Sequence, residues 1–267
     1  MDLFLEGKRA LVTGSTSGIG RAVAVTLASE GVVVAVHGRD PERARETASA
    51  IAGSGGKAVV ALGDLSTADG RDAVAGQVES EFGGIDILVS NVGGSANDGW
   101  PAAAPGDWAA MLNLNVVSAV GLIGAFTPGM RARGWGRVIQ IGSAASANPP
   151  PSMAGYGAAK AALVNLIVSL AKELAGTGVT ANTVSPGPTL TEGWREFALS
   201  FARSQGMGED FEAARSALMS GPLANPSGRL AEPGEVAALV ALVASPLGAS
   251  VNGANLRIDG GFTPTVN

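Results

Sequence analysis

A short apolar run, Ala10-Leu11-Val12, passes directly into Thr13-Gly14-Ser15-Thr16-Ser17-Gly18-Ile19-Gly20. Residues of good helix propensity then follow from Arg21 to Glu30. Strand, glycine turn and helix in that order commit the chain to a βα unit, and the same rhythm recurs. Val32 to Val36, Ala58 to Leu62, Ile85 to Val89, Arg137 to Ile141, Val179 to Val184 and Asn255 to Ile258 read as further strands. Between most of them lie helical stretches, among them Glu42 to Ala52, Thr67 to Phe82 and Glu232 to Ala244. The unbroken apolar character of Val32 to Val36 marks a strand buried on both faces. Strands alternating with helices predict an α/β fold, a doubly wound parallel sheet of about seven strands with helices on both faces. Ligands of such sheets bind outside the carboxyl ends of the strands.

The residues at those carboxyl ends carry the chemistry. Glycines let a backbone approach a pyrophosphate, and a helix N-terminus turns free N–H groups towards it. Gly14, Gly18 and Gly20 have the spacing Gly-x-x-x-Gly-x-Gly, one residue wider than the common dinucleotide fingerprint. The second strand runs into His37-Gly38-Arg39-Asp40-Pro41 with no acidic residue at its end. Arg39 there suits the 2′-phosphate of NADP, or is a solvated loop arginine. Asp40 reads as a helix N-cap with Pro41 behind it, and His37 as a packed strand-end residue without chemistry. Asp64 either accepts from an adenine amino group, with Leu65 covering the ring, or begins a turn.

Tyr156 and Lys160 stand four residues apart in a stretch that reads as the first turns of a helix, so they share a face. A neighbouring ammonium favours phenolate, which predicts a phenol tuned below its ordinary pKa of ~10. Such a phenol exchanges a proton with a carbonyl or alcohol oxygen. With 1 Tyr, 1 His and 0 Cys in 267 residues, a phenolic acid/base must be Tyr156 and a thiol nucleophile is excluded. Ser143 sits past a strand end, in reach of the tyrosine helix. Asn115 lies within helix, where asparagine has poor propensity. It marks either a bend or a polar group that holds water. The stretch Asp107 to Arg133 is expected to be helical, with a break near Pro128-Gly129.

Composition narrows the partners. A net charge of -5 argues against nucleic acid. Absence of cysteine excludes cysteine metal sites and suits a reducing compartment. No metal site is expected. The longest nearly apolar run, Val116 to Phe126, is too short to span a bilayer. A cytoplasmic protein that engages no membrane is the expectation. Glu192 to Gly228 interrupts the rhythm with Trp194, Phe197, Phe201, Phe211 and Met219 among Gly, Ser and charged residues. It reads as one insertion in a single domain spanning 1–267, an apolar flap over the crevice.

Taken together, these residues resemble the short-chain dehydrogenase/reductase family, closest to its 3-oxoacyl reductases. The resemblance covers essentially the whole chain. It rests on Thr13-Gly14-x-x-x-Gly18-x-Gly20, Asp64, Asn91-Val92-Gly93-Gly94, Asn115, Ser143, Tyr156-x-x-x-Lys160, Pro186-Gly187 with Thr191, and Asp259-Gly260-Gly261. Val92 departs from the alanine usual within Asn-Ala-Gly. The resemblance implies a Rossmann-type fold, an NADP-dependent oxidoreductase acting on a small carbonyl or secondary alcohol, and a homotetramer. NADP(H) is expected in preference to NAD(H). It implies Tyr156 as acid/base, Lys160 as its tuner and a ribose ligand, Ser143 on the substrate oxygen, and Asn115 holding a water. Gly14, Ser17, Gly18, Ile19 and Gly20 would cradle the pyrophosphate. Asn91, Gly93, Pro186, Gly187, Thr189 and Thr191 would line the rest of the cofactor. A non-catalytic dinucleotide sensor of the same fold is the alternative.

Overall fold

The computed structural model describes residues 1–95, 100 and 104–265. Seven strands form one parallel sheet: β1 (Arg9–Val12), β2 (Val33–Gly38), β3 (Lys57–Leu62), β4 (Ile87–Ser90), β5 (Gly136–Ile141), β6 (Val179–Pro186) and β7 (Asn255–Ile258). Their spatial order is β3-β2-β1-β4-β5-β6-β7, and every neighbouring pair is parallel. The order reverses between β1 and β4, so a crevice opens at their carboxyl ends.

Alternation along each strand sends side chains to two cores. Ala10 and Val12 of β1, Val34 and Val36 of β2, and Ile139 and Ile141 of β5 join one. Helices α1 (Gly18–Ser29) and α9 (Pro233–Ala244) cover it. Leu11, Ala35 and Val138 join the other, beneath α3 (Ala68–Phe82), α5 (Ser118–Ala132) and α6 (Ala154–Glu173). Burial on both faces explains why the strands are apolar at consecutive positions. Helix α2 (Pro41–Gly53) begins as its sequence suggests, with the Asp40 carboxylate accepting from the Glu42 and Arg43 N–H groups.

The expected break at Pro128 is absent. Helix α5 continues through that proline, whose missing N–H costs one hydrogen bond while buried Phe126, Thr127 and Met130 hold the helix on either side. The irregularity lies earlier. Helix α4 (Pro105–Leu112) runs into a π-helical turn, Asn113–Val117, before α5. There the Asn115 Nδ2 donates to Met111 O at 3.0 Å and to Gly94 O at 3.1 Å. The side chain thus takes the carbonyl that the α-helical ladder would give to the backbone, and the turn widens.

Two helical stretches, Pro105–Ala132 and Pro151–Glu173, are long and apolar enough to cross a membrane by length and composition. Both instead pack a face on the sheet through Leu122, Phe126, Met130 and Ile167. The 192–228 stretch forms α7 (Glu192–Ser204) and α8 (Phe211–Ser220). They share a small core of their own: Ala198, Ala202, Ala214 and Leu218, flanked by Trp194, Phe201, Phe211 and Leu223.

Candidate active site

The end of β1 is stitched to the end of β4. Thr13 Oγ1 accepts from the Asn91 and Val92 N–H groups at 2.8 and 3.0 Å. Asn91 Nδ2 donates to Thr13 O and Gly14 O at 3.0 and 3.2 Å. Gly20 packs into this junction, where a Cβ would collide with Gly14 O and Asn91 Nδ2. Nothing larger than glycine fits while the loop keeps this shape. Ser17 is the extended N-cap of α1 but makes no side-chain cap. The first-turn N–H groups, around Gly18, Ile19 and Gly20, are therefore left uncapped by that side chain. Thr191 closes the other side, with its Cγ2 3.4 Å from the place of a Gly18 Cβ. Its hydroxyl caps α7 by accepting from Trp194 N–H at 3.1 Å. Thr189 is buried and donates to Gly187 O at 2.9 Å, and the Gly187 N–H donates to Ile258 O just past Pro186. A cavity of about 690 Å³ flanks the loop between α1, α2 and the start of α7. Arg43 and Glu192 pair across it at 3.4 Å.

At the adenosine end, Arg39 is exposed and stands 3.8 Å from Asp64, a loose surface pair of little energetic weight. Asp64 begins a turn: its Oδ1 accepts from Ser66 N–H and Oγ–H at 2.9 and 2.7 Å. Those bonds, more than Arg39, hold its carboxyl below the ordinary range. Leu65 does not present its side chain to the crevice as expected. It is 2% exposed and belongs to the core beneath α3 and α5, where an apolar side chain loses all contact with water.

Deeper in the crevice four side chains converge. Tyr156 stands in the first turn of α6 and Lys160 one turn on. The Ser143 hydroxyl is near enough to the Tyr156 phenol to favour its ionisation, and it accepts from Ala145 N–H at 3.1 Å. Lys160 Nζ lies 5.6 Å from the Tyr156 ring centre and donates to Ile141 O at 3.1 Å. Asn115 is fully buried, and its Oδ1 faces the same space. A Cβ on Gly93 would stand 2.6 Å from Asn115 Oδ1 and 3.2 Å from Lys160 Nζ. Gly93 thus keeps the approach between them open.

The electrostatics differ from the expectation. Burial pushes the Tyr156 phenol up, opposed by Ser143. Lys160 is itself pushed down to about 8 by burial, and its Nζ is spent on a carbonyl rather than on the phenol. Sequence spacing reports a shared helix face, not the desolvation that comes with it. Thr13 stood in the glycine motif without an assigned role, and the Ile141 carbonyl was missed by residue-pattern reasoning. A threonine directly before the first glycine is a signal for the former; a backbone carbonyl leaves none. Among the described residues, no three His, Cys, Asp or Glu side chains gather as a metal site.

Comparison with known proteins agrees with this architecture. The family profile described as short chain dehydrogenase matches residues 8–199. An uncharacterized oxidoreductase of Bacillus subtilis, YvaG, is 37% identical over 268 residues, covering 100% of both chains. The 3-oxoacyl-acyl-carrier-protein reductase of Vibrio cholerae is 33% identical, covering 97% of this chain and 98% of its own. The crystal structure of L-sorbose reductase from Gluconobacter frateurii, complexed with NADPH and L-sorbose, superposes with a TM-score of 0.95. It is 33% identical and covers 100% of both chains.

A buried ammonium without a carboxylate should cost the fold. Below pH 8, Lys160 is charged in both folded and unfolded chains, and the folded state bears the penalty. The shift from 10.5 to about 8 corresponds to at most about 3 kcal/mol. Lys160→Met, which fits the same space, should therefore stabilise the protein by about 2 kcal/mol at pH 7 in urea denaturation. Because the folded pKa is depressed, wild-type stability rises as pH climbs from about 8 to 10.5, and the gap should narrow there. A variant no more stable than wild type at pH 7 would remove this account of the lysine.

Proposed function

The chain belongs to the short-chain dehydrogenase family of NAD(P)-dependent oxidoreductases, and we propose that it is an NADP(H)-dependent reductase in which Tyr156 delivers the proton. The observation that carries the reading is the convergence of Ser143, Tyr156, Lys160 and Asn115 beneath the carboxyl ends of β4 and β5. The open glycine loop, the first turn of α1 and the Thr191 side of the crevice fit a dinucleotide. Gly14, Ser17, Gly18, Ile19 and Gly20 would hold its pyrophosphate, and Asn91, Gly93, Pro186, Gly187, Thr189 and Thr191 would flank it. When bound, the nicotinamide supplies the hydride.

The chain's own residues supply position and proton. Ser143 orients the substrate oxygen beside the phenol. Tyr156, kept protonated by burial, gives its proton to that oxygen, which suits reduction more than oxidation. Lys160 holds the nicotinamide ribose and, as its charge comes and goes near pH 8, passes a proton on. Asn115 Oδ1 holds a water between Lys160 and solvent. Helices α7 and α8 form the wall over the site, as an insertion within one domain. Gly94, Ala144, Ala145, Pro149 and Met153 make the facing wall small or apolar, so the substrate is an uncharged, mainly apolar ketone. The absence of cysteine suits a cytoplasmic setting.

Tyr156→Phe should keep NADPH binding and lose turnover by at least ~100-fold. The assay is absorbance loss of NADPH over a panel of apolar ketones and 3-oxo esters, with L-sorbose and pyruvate as contrasts. Near-normal turnover in the variant removes Tyr156 from the mechanism. Turnover of pyruvate alone removes the apolar pocket, and binding without turnover of any ketone points to a sensor.

Arg39 supports NADP over NAD. A charged hydrogen bond is worth ~1.5–3 kcal/mol, so NADPH should bind roughly tenfold or more tighter than NADH, and Arg39→Ala should erase most of the difference. Tighter NADH binding by the wild type sinks the preference.

Assembly follows from apolar residues left outside. Val117 and Val120 are 42% and 44% exposed beside α5, and Leu242 of α9 is 40% exposed. Two such faces support a homotetramer of closed symmetry. Light scattering at micromolar concentration should return four times the 26.4 kDa chain mass; a monomer decides against it.

A further inference from the structure

We propose that His37 is a positioning residue for the cofactor: its neutral ring grips the Gly14 amide and holds the glycine loop in its receiving shape. The proposal rests on the reading of that loop as the dinucleotide cradle. His37 is the single histidine of the chain and 2% exposed at the end of β2. Its main chain is already tied to the loop. The His37 N–H donates to Ser15 Oγ at 2.9 Å, and His37 O accepts from Ser15 N–H at 2.9 Å. The ring adds two further ties. Nδ1 accepts from the Gly14 N–H at 3.0 Å, and Nε2 lies 3.1 Å from Gly63 O.

Those partners determine the ring's state. A backbone N–H can only donate, so Nδ1 must carry a lone pair. A carbonyl can only accept, so Nε2 must carry the proton. The ring is therefore the neutral Nε2–H tautomer, bridging the loop after β1 to the loop after β3. Gly14 is held from both sides, its N–H by His37 and its carbonyl by Asn91 at 3.2 Å. It has a left-handed φ of 63°, and its carbonyl forms the floor on which Gly20 packs. Loss of the ring's lone pair would release one of the two holds on the residue that shapes the cradle.

Protonation does this without any mutation. A charged ring turns Nδ1 into a donor facing the donor of Gly14. The charged groups facing the ring are Asp64, which favours its charge, and Arg39, which opposes it, while burial outweighs both and pushes the ring below 6.5. Asp64 is held below the ordinary carboxylate range, and His37 gains its charge only below 6.5, because burial opposes it.

The test uses the full-length protein and cofactor titrations by fluorescence. His37→Asn places an oxygen acceptor at the Nδ1 position. His37→Gln reaches Gly63 in the manner of Nε2 and abandons Gly14. The Gln variant should bind NADPH roughly fivefold to tenfold more weakly, the scale of one lost hydrogen bond, while Asn stays within about twofold of wild type. The loss should fall on the cofactor KM rather than on kcat, and thermal melting should not rank the variants in the same order. In the wild type, affinity for both NADPH and NADH should fall once the pH passes below the depressed pKa of the ring, under 6.5, and this step should vanish in His37→Asn. NADH lacks the 2′-phosphate, whose own titration near pH 6 would otherwise contribute. Equal binding by Gln and wild type, or a wild-type NADH affinity flat from pH 7 down to the onset of acid unfolding, overturns the role of His37. Absence of NADPH and NADH binding by the wild type at pH 7 instead overturns the cradle reading, and this proposal with it.

Discussion

The structure depends on one hydrogen-bonded seam, where Thr13 and Asn91 join the ends of β1 and β4. At that point the sheet order reverses, and two loops leave in opposite directions. Left to themselves, diverging loops would open a cleft of variable width. The seam sets that width with four bonds from two side chains. The glycine loop leans on one side of it through Gly14 and Gly20. Gly93, three residues past the end of β4, lies between Asn115 and Lys160 on the other. The glycine loop and the cluster of Ser143, Tyr156, Lys160 and Asn115 thus share a single fixed junction, so a constraint of the fold sets the geometry of the proposed site.

Much of this was legible in the residues themselves. Apolar runs reported β1, β2 and β4 because burial on both faces favours apolar side chains at consecutive positions. Asp40-Pro41 reported a helix start because capping is local chemistry. What escaped were features set by contacts distant in sequence. At the π turn the Asn115 amide bonds both Met111 O within the helix and Gly94 O, 21 residues away, while Pro128, the louder local signal, is absorbed by its buried neighbours. Leu65 looked available beside the crevice, yet packing drew it into the core. The 1,5 pairing of Tyr156 with Lys160 was plain, but its electrostatic consequence was not. Desolvation raises one group and lowers the other, and no spacing rule counts the atoms that exclude water.

The separate core of α7 and α8 has a consequence for how this protein can change. Eight residues pack there, none shared with the two cores of the sheet. The segment leaves and rejoins the body close together, where Leu190 N–H donates to Ala231 O at 2.8 Å. A change among those eight side chains can be absorbed within this small core, because none of them belongs to the cores that carry the seam and the glycine loop. The molecule therefore divides into two packing units, one built on the sheet and one that holds its own interior. In a fold whose function lives in grafted sites, these thirty-odd residues are the ones that can be rewritten while the sheet and its central seam stay as they are.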